Sequence, residues 1–212
     1  MAYLLYYHSM DTTGESRGKF IVFDGTNGSG VSTQSRLFHE YLQKRGSPAI
    51  LTSEPTKEGP VAARIREILL DERSVTPRYL QKLFAENRRE HVNRVIAPSL
   101  KQGLTVVCDR YYFSAVAFGS IDLDPEWLIE INKQFVHPDC TFILSVQPET
   151  CMERIHSSGE AREIFEKLGK LRKAWAMYKT LPPRFRDVYL VDGEGTIRDT
   201  QRRVLAISQG KV

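Results

Sequence analysis

An apolar run passes through a glycine-rich turn into a helical pattern in the segment KFIVFDGTNGSGVSTQ, residues 19–34. That order suits a buried strand feeding a helix through a tight loop, and few folds accommodate it. Gly25, Gly30 and Ser32 occupy fixed positions of the phosphate-loop pattern G-x-x-x-x-G-K-[ST], while Val31 stands where the lysine belongs. In such a loop the glycines let successive backbone N–H groups converge on phosphate oxygens. The candidate phosphate-binding residues are therefore Gly25, Thr26, Asn27, Gly28, Ser29, Gly30, Val31, Ser32 and Thr33, with the Ser32 hydroxyl a candidate Mg²⁺ ligand. A purely structural glycine turn is the alternative.

Short apolar, β-branched-rich runs recur at 19–24, 48–52, 104–109, 140–146 and 187–191. Their near-continuous hydrophobicity predicts strands buried on both faces. Helical patterns separate them, at 32–45, 61–70, 77–102 (kinked or ended near Pro98), 125–135, 148–155, 163–180 and 196–208. In the first of these, Leu37, Phe38, Tyr41 and Leu42 share a face, and Asp124 is the expected N-cap of the fourth. Strand–helix alternation predicts an α/β fold, a parallel sheet with helices on both faces. Ligands of such sheets sit at the carboxyl ends of the strands, where Asp24, Gly25, Glu54, Asp109 and Arg110 all fall.

A length of 212 residues suits one domain: residues 1–18 as an N-terminal extension and 19–212 as the folded unit. No apolar run approaches the ~18 residues of a membrane span. Met1 to Met10 lack a basic start and a small-residue cleavage site, so they read poorly as a signal peptide. Three cysteines without metal-ligand spacing (Cys108, Cys140, Cys151) predict reduced buried thiols and a cytoplasmic protein. The net charge of +4 suits anionic small ligands and gives no ground for a nucleic-acid partner.

Two further clusters carry chemistry. Asp109 and Arg110 stand at a strand end beside the loop, where they can serve a divalent cation and a phosphoryl group, or pair structurally with each other. Phe84 and Arg88 lie four apart on a predicted helix and share a face. A ring beside a guanidinium can stack a base and bond its edge; a core Phe with a surface Arg is the bland alternative.

Together the segments FDGTNGSGVSTQ (23–34), TSEPT (52–56), LFAENRREH (83–91), DRYYFSAVAF (109–118) and GEAREIFEKL (159–168) resemble the thymidylate kinase family in content and order, from about 19 to 207. The resemblance implies a three-layer P-loop fold with a five-stranded parallel sheet, ATP as donor with Mg²⁺, dTMP as acceptor, and a homodimer. It makes Phe84 the ring that stacks on the base and Arg88 the arginine that reads its edge. It puts Arg110 on phosphates, Tyr111 near the sugar, Glu54 in the acceptor pocket and Phe118 in the base-site wall. Asp109 joins Ser32 as a candidate metal residue. Residues 154–163 match a mobile lid, with Arg154 and Arg162 as candidate donor-phosphate ligands.

The chain departs from that family at Val31, at Asn27 where an Asp is usual, and at Ser53 where many members have Arg. Arg110, Arg154, Arg162 and His156 are the candidate replacement cations. A kinase for another monophosphate and a non-catalytic nucleotide binder remain open readings. A GTPase switch is disfavoured, because no N-K-x-D-like segment follows the fourth apolar run.

Overall fold

The computed structural model describes residues 17–70, 75–155 and 161–211, with 161–167 described as backbone only. Five strands form one all-parallel sheet: β1 (Phe20–Gly25), β2 (Ala49–Ser53), β3 (Thr105–Asp109), β4 (Cys140–Ser145) and β5 (Val188–Asp192), in spatial order β2-β3-β1-β4-β5. Each lies within about a residue of its apolar run. Helices α1 (Val31–Lys44), α2 (Pro60–Leu70), α3 (Pro77–His91), α4 (Ala97–Lys101), α5 (Tyr112–Gly119), α6 (Pro125–Asn132), α7 (Pro148–Ile155), α8 (Ala161–Thr180) and α9 (Ile197–Ser208) connect and cover them.

Side chains of β1 alternate between two cores. Phe20 and Val22 pack with Val106, Cys108, Ile96 and Phe113 on one face. Ile21 and Phe23 pack with Phe38, Leu42, Phe142 and Val204 on the other. Asp124 caps α6 as its sequence predicts, accepting from the N–H groups of Glu126 and Trp127 at 3.2 and 3.3 Å.

The 77–102 helix, expected to kink or end near Pro98, is interrupted just before it: a π turn at Val92–Ile96 joins α3 to α4. The irregularity lies one turn before Pro98, which has no N–H to offer the carbonyl of Arg94. Helix α5 was not predicted at all. Six of its eight residues are buried, so it has no polar face to create a 3.6-residue pattern.

Of the N-terminal extension, Arg17 and Gly18 are described, and both dock on the domain. Arg17 pairs with Asp139 at 2.8 Å, and the Gly18 N–H donates to the Leu100 carbonyl at 2.9 Å.

The order places β1 between β3 and β4, so the connection after β1 runs toward the β2 edge while the connection after β3 crosses to β4 on the opposite side. Such a crevice is where open α/β sheets bind ligands. Here Phe23 registers with Asp109, and Ser53 with Asp109 on its other side. The loops that follow β1, β2 and β3 thus bring Gly25, Glu54 and Arg110 side by side.

Candidate active site

The loop after β1 curls because three glycines take positive φ: Gly25 at 152°, Gly28 at 82° and Gly30 at 95°. At Gly28 even the space is lacking, since a Cβ would stand 2.4 Å from the Cys151 carbonyl oxygen. Ser29 closes the turn, its N–H and hydroxyl both donating to the Thr26 carbonyl, at 3.1 and 2.7 Å. Helix α1 starts from Gly30 with no side chain capping it. Its first N–H groups therefore face the loop's concavity, where the helix dipole favours an anion.

Val31 does not reach over that concavity. It is 4% exposed and packs with Ile21, Phe23 and Phe38 in the core beneath the loop. The position that carries a cation in the usual motif is here part of the hydrophobic interior.

Arg110 is the cation nearest to a replacement. Its backbone sits at φ 69°, a left-handed conformation uncommon for any residue but glycine. Nη1 donates to the Gly25 carbonyl at 2.7 Å and to Ser114 Oγ at 3.1 Å, and Nη2 donates to Asn27 Oδ1 at 2.8 Å. The guanidinium lies 5.9 Å from the Phe118 ring centre. All three acceptors are neutral, and among the described residues none of its hydrogen bonds goes to a carboxylate.

The local fold is tied down by Asp24, which is fully buried. Its carboxylate accepts from the Gly25 N–H, the Ser114 N–H and Oγ, and the Tyr178 hydroxyl, at 2.9, 3.1, 2.6 and 2.6 Å. The Tyr111 N–H adds a longer bond at 3.3 Å. Burial pushes the Asp24 carboxyl above its usual range, opposed by the nearby Arg110 charge and these hydrogen bonds. Burial likewise pushes the Tyr178 hydroxyl up, with the Asp24 charge adding to it.

Two cavities meet at Arg110. The first, of about 310 Å³, is lined by Phe84, Arg88, Tyr111 and Phe118 together with Glu54 and Asn27. At its base Arg88 Nε donates to Glu54 Oε2 at 2.7 Å, both side chains being about 95% buried. Arg88 Nη1 donates to Asn132 Oδ1. Glu54 Oε1 is 3.0 Å from His91 Nδ1, and His91 Nε2 is 2.7 Å from Thr52 Oγ1. Four elements thus fix the direction of one guanidinium, which also lies 5.2 Å from the Tyr111 ring centre. Two buried atoms of lining residues lack any partner, Gln81 Oε1 and Tyr111 Oη.

The second cavity, of about 520 Å³, runs along the phosphate loop from Arg110 to Gly193, Gly195, Ile197 and Thr200. Arg154, at the end of α7, lines it and donates to the Gly193 carbonyl at 3.1 Å. Arg162 falls in the stretch described as backbone only, and His156 lies outside the described residues with the rest of 156–160, half of the 154–163 segment.

Ser32 and Asp109 line a third depression between these cavities. Among the described residues Asp109 Oδ1 is buried without a hydrogen-bond partner. Carboxylate and hydroxyl oxygens are the donors that a hard divalent cation takes, commonly with waters completing its shell. These two residues therefore fit Mg²⁺, while the described residues contain no cluster of three His, Cys, Asp or Glu.

Sequence reasoning missed Asp24's anchoring role and the contributions of Gln81, His91, Ser114, Asn132, Tyr178 and the Gly193–Thr200 wall. Asp24, His91 and Ser114 lay inside recognised segments with no sign of these roles; Gln81, Asn132, Tyr178 and the Gly193–Thr200 wall come from outside them, with no local pattern.

A glycine loop at a strand's end, a continuous donor trough and a base-sized cavity joined through one arginine define a P-loop nucleoside-monophosphate kinase. Residues 23–204 match the family model described as thymidylate kinase. The chain is 39% identical over 166 residues to the thymidylate kinase of Desulfotalea psychrophila, covering 77% of this chain and 82% of that one. It is 34% identical over 197 residues to the probable thymidylate kinase of Thermococcus onnurineus, covering 89% and 96% respectively. It is 36% identical over 170 residues to the thymidylate kinase of Plasmodium falciparum, covering 79% of each. The chain belongs to the thymidylate kinase family.

Proposed function

We propose that this chain transfers the γ-phosphoryl group of ATP to dTMP, releasing ADP and dTDP, and that it does so without a loop lysine. The observation that carries this reading is the position of Arg110, a guanidinium bordering both cavities and, among the described residues, hydrogen-bonded only to neutral acceptors.

The triphosphate lies along residues 25–33, its oxygens taking the free N–H groups of the loop and of the start of α1. Ser32 and Asp109 would hold Mg²⁺, which when bound would offset charge on the donor phosphates. In the acceptor cavity the base stacks on Phe84 against the Phe118 wall, and Arg88, aimed by Glu54, donates to its edge. Tyr111 borders the sugar. A phosphate oxygen of dTMP attacks the γ-phosphorus as the bond to the β,γ-bridging oxygen breaks. Arg110 donates to the moving phosphoryl group. Positioning and charge neutralisation dominate such transfers, so a cation reaching the same oxygens from a different backbone position can serve. Arg154 and Arg162 belong to the segment that closes over the donor, excluding the water that would hydrolyse ATP.

A coupled ADP-release assay with dTMP, ATP and Mg²⁺ tests this reading, with dUMP and other monophosphates as competing acceptors. The apolar burial of Val31 favours one rival, a nucleotide-binding protein without catalysis. That rival gives thermal stabilisation by dTMP and ATP but no ADP.

The homodimer and the cytoplasmic location are part of the same proposal and rest on the family. No described helix is long and apolar enough to cross a membrane. Sedimentation of the full chain tests the dimer.

A further inference from the structure

Gln81, Phe84 and Arg88 lie on one face of α3 and all line the acceptor cavity. Gln81 is 7% exposed, and its Oε1 is buried without a hydrogen-bond partner among the described residues. Buried amide carbonyls are normally bonded, so a lone one on a residue that lines a ligand cavity asks for a donor. Room for the carboxamide comes from Gly119, where a Cβ would stand 3.1 Å from Gln81 Cδ and 2.9 Å from both Leu128 methyl carbons. On the other side of Phe84, Arg88 has committed Nε to Glu54 and Nη1 to Asn132. Its Nη2 makes no hydrogen bond among the described residues and offers only donors.

A pyrimidine stacked on Phe84 thus meets a donor from Arg88 and an acceptor from Gln81. A 2,4-dioxopyrimidine presents the complement on its edge, a ring carbonyl beside the N3–H. A cytosine presents an amino group and a bare N3 there. Rotating the Gln81 amide accommodates the cytosine nitrogen, but no rotation gives Arg88 an acceptor. We propose that Gln81 is a specificity-determining residue, accepting the N3–H of the acceptor base while Arg88 donates to the adjacent carbonyl. The proposal rests on the acceptor reading above and deepens it.

Calorimetric binding separates the two. Wild-type protein and Gln81→Met, which keeps the length of the side chain and removes its carbonyl, are titrated with dTMP and with N3-methyl-dTMP. Wild type is expected to favour dTMP by about ten-fold, the size of one lost buried hydrogen bond. In Gln81→Met that preference collapses toward unity, with ATP affinity unchanged. Gly119→Ala, which displaces the carboxamide and retains Gln81, is expected to narrow the preference in the same direction and carries the test if Gln81→Met packs badly. An unchanged preference in the folded variant overturns the Gln81 assignment and leaves the dTMP reading standing. Wild-type protein that binds no dTMP overturns the acceptor reading and the Gln81 assignment with it.

Discussion

Arg110 Nη2 donates to Asn27 Oδ1 at 2.8 Å, and this neutral contact is what leaves the guanidinium's charge available to a phosphate. An aspartate at position 27 would set a carboxylate against the same nitrogen. Charge-assisted bonds of that kind are short and about twice as strong as neutral ones. The loss of a cation at Val31 and of an anion at Asn27, relative to the usual family residues, thus leaves the net charge of the loop unchanged.

Asn27→Asp is therefore expected to lower kcat by ~10-fold, a barrier increase of about 1.4 kcal/mol. Adding Val31→Lys to Asn27→Asp should recover part of the loss. Steady-state kinetics of the single and double variants check this, and a faster Asn27→Asp enzyme would contradict it.

Arg110→Ala should reduce kcat by ~10²–10³, the usual consequence of removing a preorganised donor to a transition state. ATP affinity should change little, because the loop amides remain. Burst and equilibrium-binding measurements separate these quantities. An unchanged kcat removes Arg110 from the chemistry.

The Glu54–Arg88 pair is nearly dry, with side chains 5% and 4% exposed. Removing one partner of such a pair strands a buried charge and typically costs ~3–5 kcal/mol. Glu54→Ala should lower the urea midpoint accordingly and also weaken dTMP binding, since Arg88 loses its aim. Stability within ~1 kcal/mol of wild type would mean that water or movement relieves Arg88 at far lower cost than burial implies.

Asp24 sets a pH dependence whose sign follows from its burial. Its folded-state pKa is raised above the usual 3.8, so between the two values the folded state binds more protons than the unfolded one. Asp24's contribution to stability is full below the unfolded value and is lost as pH rises through the folded one. Relative to Asp24→Asn, the wild type should be at its best below pH 3.8 and lose ground above it. Denaturation across that window measures the difference, and a wild type that gains on the variant as pH rises contradicts the sign.

The sheet was legible because each strand is an unbroken apolar run between helical patterns, as in FIVFDG and TVVCD. The phosphate loop and the Phe84–Arg88 face were legible because each lies within a few residues of chain. Helix α5 was hidden by burial on every side. Asn132 and Tyr178 were hidden because their partners are contributed by other elements, and Gln81 because its neighbour Gly119 lies on another helix; no local spacing records such a meeting. Val31 was legible as an absence only; that its side chain would join Phe23 and Phe38 in the core required the packing.

That packing gives Val31→Lys a second consequence. Its longer chain must leave a well-filled interior, and overpacking of this kind costs ~1–3 kcal/mol. Val31→Lys should therefore melt below wild type without nucleotide, by differential scanning calorimetry. An equal or higher midpoint would mean that the pocket under the loop is looser than the 4% exposure of Val31 indicates.

The most direct measurement of the central claim is ADP release by the wild-type chain with ATP and Mg²⁺, with and without dTMP. A dTMP-dependent release that Arg110→Ala lowers by ~10²–10³ is the predicted result. Binding of dTMP with no ADP above the hydrolysis background, and turnover that appears only in Val31→Lys, would contradict it.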